Sequence, residues 1–123
     1  MQLLFIFLGG GFGAVLRYGA ALLAGRWLGS ALPGTFVVNV LGCLLLGAVF
    51  GITQTRVGCL SEEVRLFIAA GFLGALTTFS TFNWELFSLL RSGRWGCALA
   101  YFMLSCVLGL LATAAGYGIT RLR

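Results

Sequence analysis

The densest group of side chains able to do chemistry is a run of hydroxyls and aromatic rings within an apolar stretch. Residues 77–82 read Thr-Thr-Phe-Ser-Thr-Phe, and Gly71 and Gly74 precede them. Hydroxyl and β-branched residues are weak helix formers, and their hydroxyls compete for backbone hydrogen bonds. The run therefore either breaks a helix or forms an ordinary helix whose hydroxyls bond back to the preceding turn. A break inside a membrane would free backbone carbonyls that can coordinate a cation.

The two phenylalanines of this run, Phe79 and Phe82, lie three residues apart. A pair at this spacing usually packs within a helical protein. An aromatic ring also has a positive edge, which can contact a small anion. Neighbouring hydroxyl and amide donors can replace the water that such an anion loses. The spacing alone leaves packing and anion contact both open.

Polar residues are few in the other apolar stretches. Thr35 and Asn39 are one helical turn apart, as are Tyr101 and Ser105, so each pair shares a helical face. Arg17 and Glu85 are charged groups within apolar stretches. Polar groups in hydrocarbon are costly and usually mark a pathway or a contact.

The composition indicates a membrane protein. Hydrophobic residues make up 60% of the 123 residues and charged residues only 9%, whereas a soluble domain carries about 25% charged residues. This balance nearly excludes a water-soluble protein and excludes disorder. The eight basic residues are all arginines without a basic run, so we expect no nucleic-acid partner. Lys, Asp and His are absent, and no pairing of a nucleophile with a base is visible, so we expect no enzyme.

The four cysteines form no CxxC pair, and no histidine is present to complete a zinc site. Cys43 and Cys106 fall inside apolar runs, where cysteine usually acts as a small buried hydrophobic residue. We therefore interpret both as structural.

Four apolar stretches are long enough to cross a bilayer as helices. They cover residues 3–23, 33–53, 64–90 and 95–119. Pro33 suits a first helical turn, and Ser61 followed by two glutamates suits a capped helix start. We predict an all-α membrane protein that forms a single domain over residues 1–123. We expect the first stretch to be a retained span rather than a signal peptide, because Arg17 follows its apolar residues.

The arginines are nearly balanced across the predicted membrane. Four spans place both termini on one side, which carries Arg56, Arg65, Arg121 and Arg123. The other side carries Arg26, Arg91 and Arg94, with Arg17 in or near the end of the first span. Orientation follows a basic excess, so this balance predicts a weak preference and a possible homodimer of oppositely inserted copies. Chance balance in a small protein is the alternative.

Small residues favour close helix contacts in membranes. GxxxG pairs occur at Gly9/Gly13, Gly25/Gly29 and Gly47/Gly51. With 19 glycines in the chain, such pairs also arise by chance.

Three segments together resemble the Fluc/CrcB fluoride channels. They are GGFGAVLRY at 10–18, GTFVVNVLG at 34–42, and GFLGALTTFSTF at 71–82 followed by Glu85. The resemblance covers essentially the whole chain, and the third segment is the most distinctive. It implies four spans per subunit with a break in the third, an antiparallel homodimer, and passive export of fluoride across a prokaryotic plasma (inner) membrane.

The resemblance also implies roles for individual residues. Phe79 and Phe82 would contact fluoride through their ring edges, with Asn39 as an amide donor and Thr81 as a hydroxyl near the rings. Tyr101 and Ser105 would form a polar track, which in this chain continues with Gly109 rather than a hydroxyl. The implied fluoride pathway is Phe79, Phe82, Asn39, Thr81, Ser105, Tyr101, Thr35 and Arg17. A structural Na⁺ at the dimer interface would be held by backbone carbonyls at Gly74 and Thr77.

Two alternatives remain at this point. A proton-coupled exporter like the small multidrug resistance proteins needs an acid in the first span, where this chain has Arg17. A non-transporting assembly subunit would explain the glycines but not a hydroxyl-rich stretch in mid-span. Arg17 either attracts anions or is structural. Three roles are open for Glu85: a hydrogen-bond acceptor that lines the pathway, a contact at an interface, or the partner of an arginine.

Overall fold

The computed structural model describes residues 1–55 and 58–121, and in this part of the chain it contains helices and no strands. The helices are α1 (Gln2–Leu28), α2 (Leu32–Thr55), α3 (Glu62–Arg65), a π-helical segment (Leu66–Leu73), α4 (Gly74–Leu76), α5 (Phe79–Arg91) and α6 (Trp95–Ile119). The elements from α3 to α5 together form the third span, Glu62–Arg91. Within the described residues, four helical units are thus long and apolar enough to cross a membrane, as predicted. Arg56 and Arg123, which entered the charge comparison, lie outside the described residues.

The two predicted helix-start signals are confirmed. Pro33 lies in the first turn of α2, and the Ser61 hydroxyl accepts a hydrogen bond from the Val64 amide at 3.3 Å, which caps α3. Gly29 ends α1 with φ of 70°, a left-handed conformation that glycine adopts without a steric penalty.

Glycines bring α1 against the third span. A β-carbon on Gly9 or Gly13 would overlap the backbone carbonyl of Phe67 or Phe72 in the π-helical segment. This confirms the first predicted GxxxG contact. The prediction is wrong for Gly25 and Gly29, because a β-carbon on either would meet nothing within 4 Å.

α2 and α6 run parallel with their backbones in close contact. Gly47 lies against the Thr113 carbonyl, and Gly51 lies against Tyr117 one turn further along. Cys43 lies beside Gly109 one turn earlier. The same register places Asn39 at the level of Ser105, so polar residues of the two helices lie at matching depths.

The outer surface of the protomer is apolar. Leu3, Phe7 and Leu110 are largely exposed, as expected for helices that face lipid rather than water. Trp27, Trp84 and Trp95 are also exposed, and they lie near arginines at one end of the helices. Tryptophan and arginine in this arrangement are typical of a membrane–water interface.

Candidate functional site

The third span is broken near its middle. α4 ends at Leu76, and α5 begins at Phe79. Between them Thr77 (φ −80°, ψ 151°) and Thr78 (φ −148°, ψ 121°) are extended. The hydroxyl run therefore interrupts the helix, which settles the choice between a break and a continuous helix.

Asn39 of α2 holds the extended backbone at the break. Its side-chain Nδ2 donates to the Thr78 carbonyl at 3.2 Å, and its Oδ1 accepts from the Thr78 amide at 2.8 Å. These two bonds satisfy the amide and the carbonyl of Thr78, which have left the helical pattern within the membrane. The side-chain amide has two N–H donors, and its bond to the Thr78 carbonyl uses one of them.

Thr78 also caps the second half of the span. Its Oγ1 accepts from the Thr81 amide at 3.2 Å and donates to the Thr81 hydroxyl at 3.1 Å. Thr81, predicted as a hydroxyl near the rings, thus lies in the first turn of α5 and is bonded to the capping side chain.

Removing the Thr78 cap should destabilise the start of α5 at the break. We expect Thr78→Val to lower the stability of the protein by about 1 kcal/mol, the usual cost of losing an N-cap hydroxyl. Thr78→Ser keeps a capping hydroxyl and should remain close to the original protein. The thermal unfolding midpoint in detergent measures both, and equal midpoints for Val and Ser would contradict the capping role.

Arg17 of α1 approaches the break from the other side. Its Nε donates to the Ala75 carbonyl at 3.0 Å. In a continuous helix that carbonyl would pair with the Phe79 amide, so the guanidinium replaces a donor lost at the break. Of the two roles left open for Arg17, the observed contact supports the structural one.

The carbonyls of Gly74 and Thr77 have lost their helical donors. In a continuous helix they would accept from the amides of Thr78 and Thr81. Those amides instead donate to Asn39 Oδ1 and to Thr78 Oγ1. Both residues line the cavity beside the break, and carbonyl oxygens of this kind are suitable ligands for a hard cation.

A cavity of about 350 Å³ lies beside the break. Its lining includes both sequence-predicted phenylalanines, whose ring centroids are 6.2 Å apart. Phe79 is 79% exposed on the protomer, whereas Phe82 is 6% exposed. Ser105 lines the same cavity, and its Oγ is buried without a hydrogen-bond partner within the described part of the chain. The cavity thus combines two aromatic rings with a buried hydroxyl that has no hydrogen-bond partner among the described residues.

Glu85 lies one layer away from this cavity and accepts two short hydrogen bonds. Thr35 Oγ1 donates to its Oε1 at 2.7 Å, and Tyr101 OH donates to its Oε2 at 2.7 Å. The Tyr101 ring in turn contacts Phe82, with centroids 5.0 Å apart. Glu85 is therefore a hydrogen-bond acceptor beside the predicted pathway, and across residues 1–55 and 58–121 it forms no ion pair with an arginine.

A second cleft, of about 260 Å³, leads from the end of the helices down to Glu85. It opens between the α1–α2 and α5–α6 connections, and its lining includes Ser30, Trp84, Glu85, Ser88, Ser92 and Arg94. We call this second cleft the mouth cleft. Between it and the cavity at the break lie three side chains in contact with one another, those of Glu85, Tyr101 and Phe82. From the sequence, Arg94 was counted only among the arginines that flank the spans, and Ser30 and Ser88 had no assigned role. These residues come together only when the connections fold.

The fold and the site define an integral membrane protein with four spans among the described residues, whose third span is broken beside a cavity lined by aromatic rings and polar groups. The chain belongs to the family described as CrcB-like protein, Camphor Resistance (CrcB), whose model matches residues 4–117. This confirms the resemblance drawn from the three sequence segments.

Relatives match over nearly their full length. A protein of Chloroflexus aurantiacus named fluoride-specific ion channel FluC is 49% identical over 121 residues, covering 98% of this chain and 95% of the relative. A protein of Salinibacter ruber with the same name is 45% identical over 120 residues, covering 96% and 88%. The bacterial relatives and the four spans identify a multi-pass prokaryotic membrane protein.

Proposed function

We propose that this protein is a passive, fluoride-selective channel. The observation that carries the proposal is the cavity at the break, which is lined by two phenylalanine rings and by the Ser105 hydroxyl, a group without a hydrogen-bond partner in residues 1–55 and 58–121. These groups attract a small anion, and the names of the relatives identify fluoride as that anion.

The proposed route uses neutral donors at its narrowest part. Fluoride would be held by the ring edges of Phe79 and Phe82, the Ser105 hydroxyl and the second N–H of the Asn39 amide. Because none of these groups carries a full positive charge, the ion can leave as readily as it enters. Toward the mouth cleft, the Thr35 and Tyr101 hydroxyls lie beside the route and hold Glu85 by hydrogen bonds.

The channel would be a homodimer. Phe79 and Gly74 are exposed on the protomer although both line the cavity, so a single copy leaves the site open on one side. Non-helical backbone inside a membrane must be covered by protein or by a water-filled cavity. A second copy, inserted the other way up, would provide this cover and bring the two breaks together at mid-membrane. Nearly balanced arginines permit such opposite insertion.

The dimer would hold a structural Na⁺ between the two breaks. The Gly74 and Thr77 carbonyls suit this role, because the amides that would satisfy them in a helix are bonded elsewhere. A bound cation would supply positive potential that favours an anion nearby without contacting it. Asn39, Thr78 and Arg17 would then keep the carbonyls in position through the hydrogen bonds described above.

Ion efflux from liposomes tests the proposed function. Purified protein in liposomes loaded with potassium fluoride should release fluoride to an ion-selective electrode once a potassium ionophore is added. Liposomes loaded with potassium chloride should retain their chloride under the same conditions. Equal release of both anions would contradict selectivity, and retention of fluoride would contradict the channel itself.

Arg94 at the mouth cleft should increase the rate of fluoride entry by attracting the anion. We expect Arg94→Gln to reduce efflux by roughly twofold at low ionic strength, and this difference should vanish at high salt, where exposed charges are screened. Arg91→Gln is the matched control, since Arg91 is exposed at the end of α5 next to the same connection but does not line the cleft. An equal effect of both substitutions, or one independent of salt, would rule out a specific role for Arg94.

A further inference from the structure

The cavity at the break carries two thiols. Cys43 of α2 and Cys106 of α6 both line it, and both are free cysteines. Cys106 is exposed on the protomer and Cys43 is partly buried. The interpretation as a small buried core side chain is therefore wrong for Cys106, whereas Cys43 is partly buried.

The two thiols lie on one wall of the cavity. Sγ of Cys43 lies 3.5 Å from the position that a β-carbon on Gly109 would occupy, so glycine leaves room for this thiol against α6. Cys106 precedes Gly109 by three residues, a spacing that separates β-carbons on a helix by about 5–6 Å. The parallel register of α2 and α6 therefore brings Cys43 beside the turn of α6 that contains Cys106 and Gly109, and both cysteines line the cavity there.

The rest of the lining restricts what these thiols can bind. The adjacent Ser105 Oγ is buried without a hydrogen-bond partner among the residues described. The protein itself therefore leaves hydrogen-bonding capacity unused on this side of the cavity. No cluster of three or more His, Cys, Asp or Glu side chains that could hold a metal ion occurs in residues 1–55 and 58–121. A structural zinc site needs four ligands, whereas thiolates alone select soft cations.

We propose that Cys43 and Cys106 bind a soft, thiophilic cation between two thiolates, and that a cation held there closes the anion route. With Hg²⁺ as the cation, both S–H bonds break, two S–Hg bonds form, and two protons leave to the solvent. No oxidation or reduction takes place. The closure rests on the proposed channel function, but the binding does not.

Efflux measurements with mercuric chloride test the closure. Hg²⁺ should reduce fluoride efflux from proteoliposomes to the rate of protein-free liposomes, and dithiothreitol should restore it. Cys43→Ser and Cys106→Ser should each remain active in the presence of Hg²⁺. Cys97→Ser should stay as sensitive as the original protein, because Cys97 lies outside the cavity.

Thiol titration tests the binding independently of transport. A protein carrying Cys59→Ser and Cys97→Ser retains only the two cavity thiols. A stoichiometric amount of Hg²⁺ added to the folded protein should remove both from later titration with a chromogenic disulfide in denaturant. The loss of a single thiol, or equal Hg²⁺ sensitivity of Cys43→Ser and the original protein, would overturn the proposal.

Fluoride efflux that Hg²⁺ leaves unchanged would overturn the closure alone. Absence of efflux before any Hg²⁺ is added would count against the channel and not against the thiol site.

Discussion

Phe79→Ile is expected to abolish fluoride efflux while leaving the protein folded. The ring is 79% exposed on the protomer, so its replacement removes little packing within the chain. Isoleucine keeps an apolar side chain in place but has no positive ring edge to offer an anion. Efflux measured with a fluoride electrode should fall to the background rate, and the elution of the variant in detergent should match that of the original protein.

Phe82→Ile should have the same effect on transport at a larger cost in stability. Phe82 is 6% exposed, and its ring contacts Tyr101, an aromatic pair worth about 0.5–1.5 kcal/mol beyond the buried area. The matched control is Phe87→Ile on the same helix. Phe87 contacts Trp84 and does not line the cavity, so this variant should retain efflux. Undiminished efflux in both the Phe79 and Phe82 variants would contradict the roles assigned to the rings.

Asn39→Ala should abolish efflux by disrupting the break itself. It removes the hydrogen bonds to both the amide and the carbonyl of Thr78 and leaves these two backbone groups without them inside the membrane. Each unsatisfied buried polar group costs about 1–3 kcal/mol, so the thermal unfolding midpoint should fall together with the efflux rate. Asn39→Asp should also fail, because a carboxylate oxygen would face the Thr78 carbonyl where the amide now donates.

Asn83→Ala is the control for this substitution. Asn83 is exposed, and its amide donates to the Phe79 carbonyl within the same helix at 2.9 Å. We expect this variant to keep both its stability and its efflux. If Asn39→Ala behaved like Asn83→Ala, the bonds to Thr78 would not be what holds the break.

The span arrangement was predictable because it depends on local properties, whereas the local sequence left a broken and a continuous third helix both open. Long apolar stretches determine the four spans, and the hydroxyl run disfavours a continuous helix at Thr77 and Thr78. The bonds that stabilise the break were not predictable, because they join distant parts of the chain. Arg17 and Ala75 are 58 residues apart, and Asn39 and Thr78 are 39 residues apart. The periodic pattern of residues within each helix carries no information about such long-range contacts.

The glycine contacts between helices were also only partly predictable from the sequence. The GxxxG spacing identifies a flat helix surface, but it does not say whether a neighbour lies against that surface. Gly9 and Gly13 face the π-helical segment, whereas Gly25 and Gly29 lie where α1 ends and face no other helix. The contact between Cys43 and Gly109 also depends on the register of α2 and α6, and that register appears only in the folded chain.

The charge balance of transport tests the central claim most directly. Fluoride leaving a liposome through a passive channel builds a potential that opposes further loss. Efflux from liposomes loaded with potassium fluoride should therefore begin only when a potassium ionophore lets K⁺ follow, and it should need no proton movement. Fluoride release without the ionophore would instead indicate electroneutral transport, in which a proton leaves with each fluoride ion. Proton uptake that accompanies ionophore-dependent efflux would indicate a proton-coupled exporter. Retention of fluoride with the ionophore present would indicate that the protein does not transport this ion.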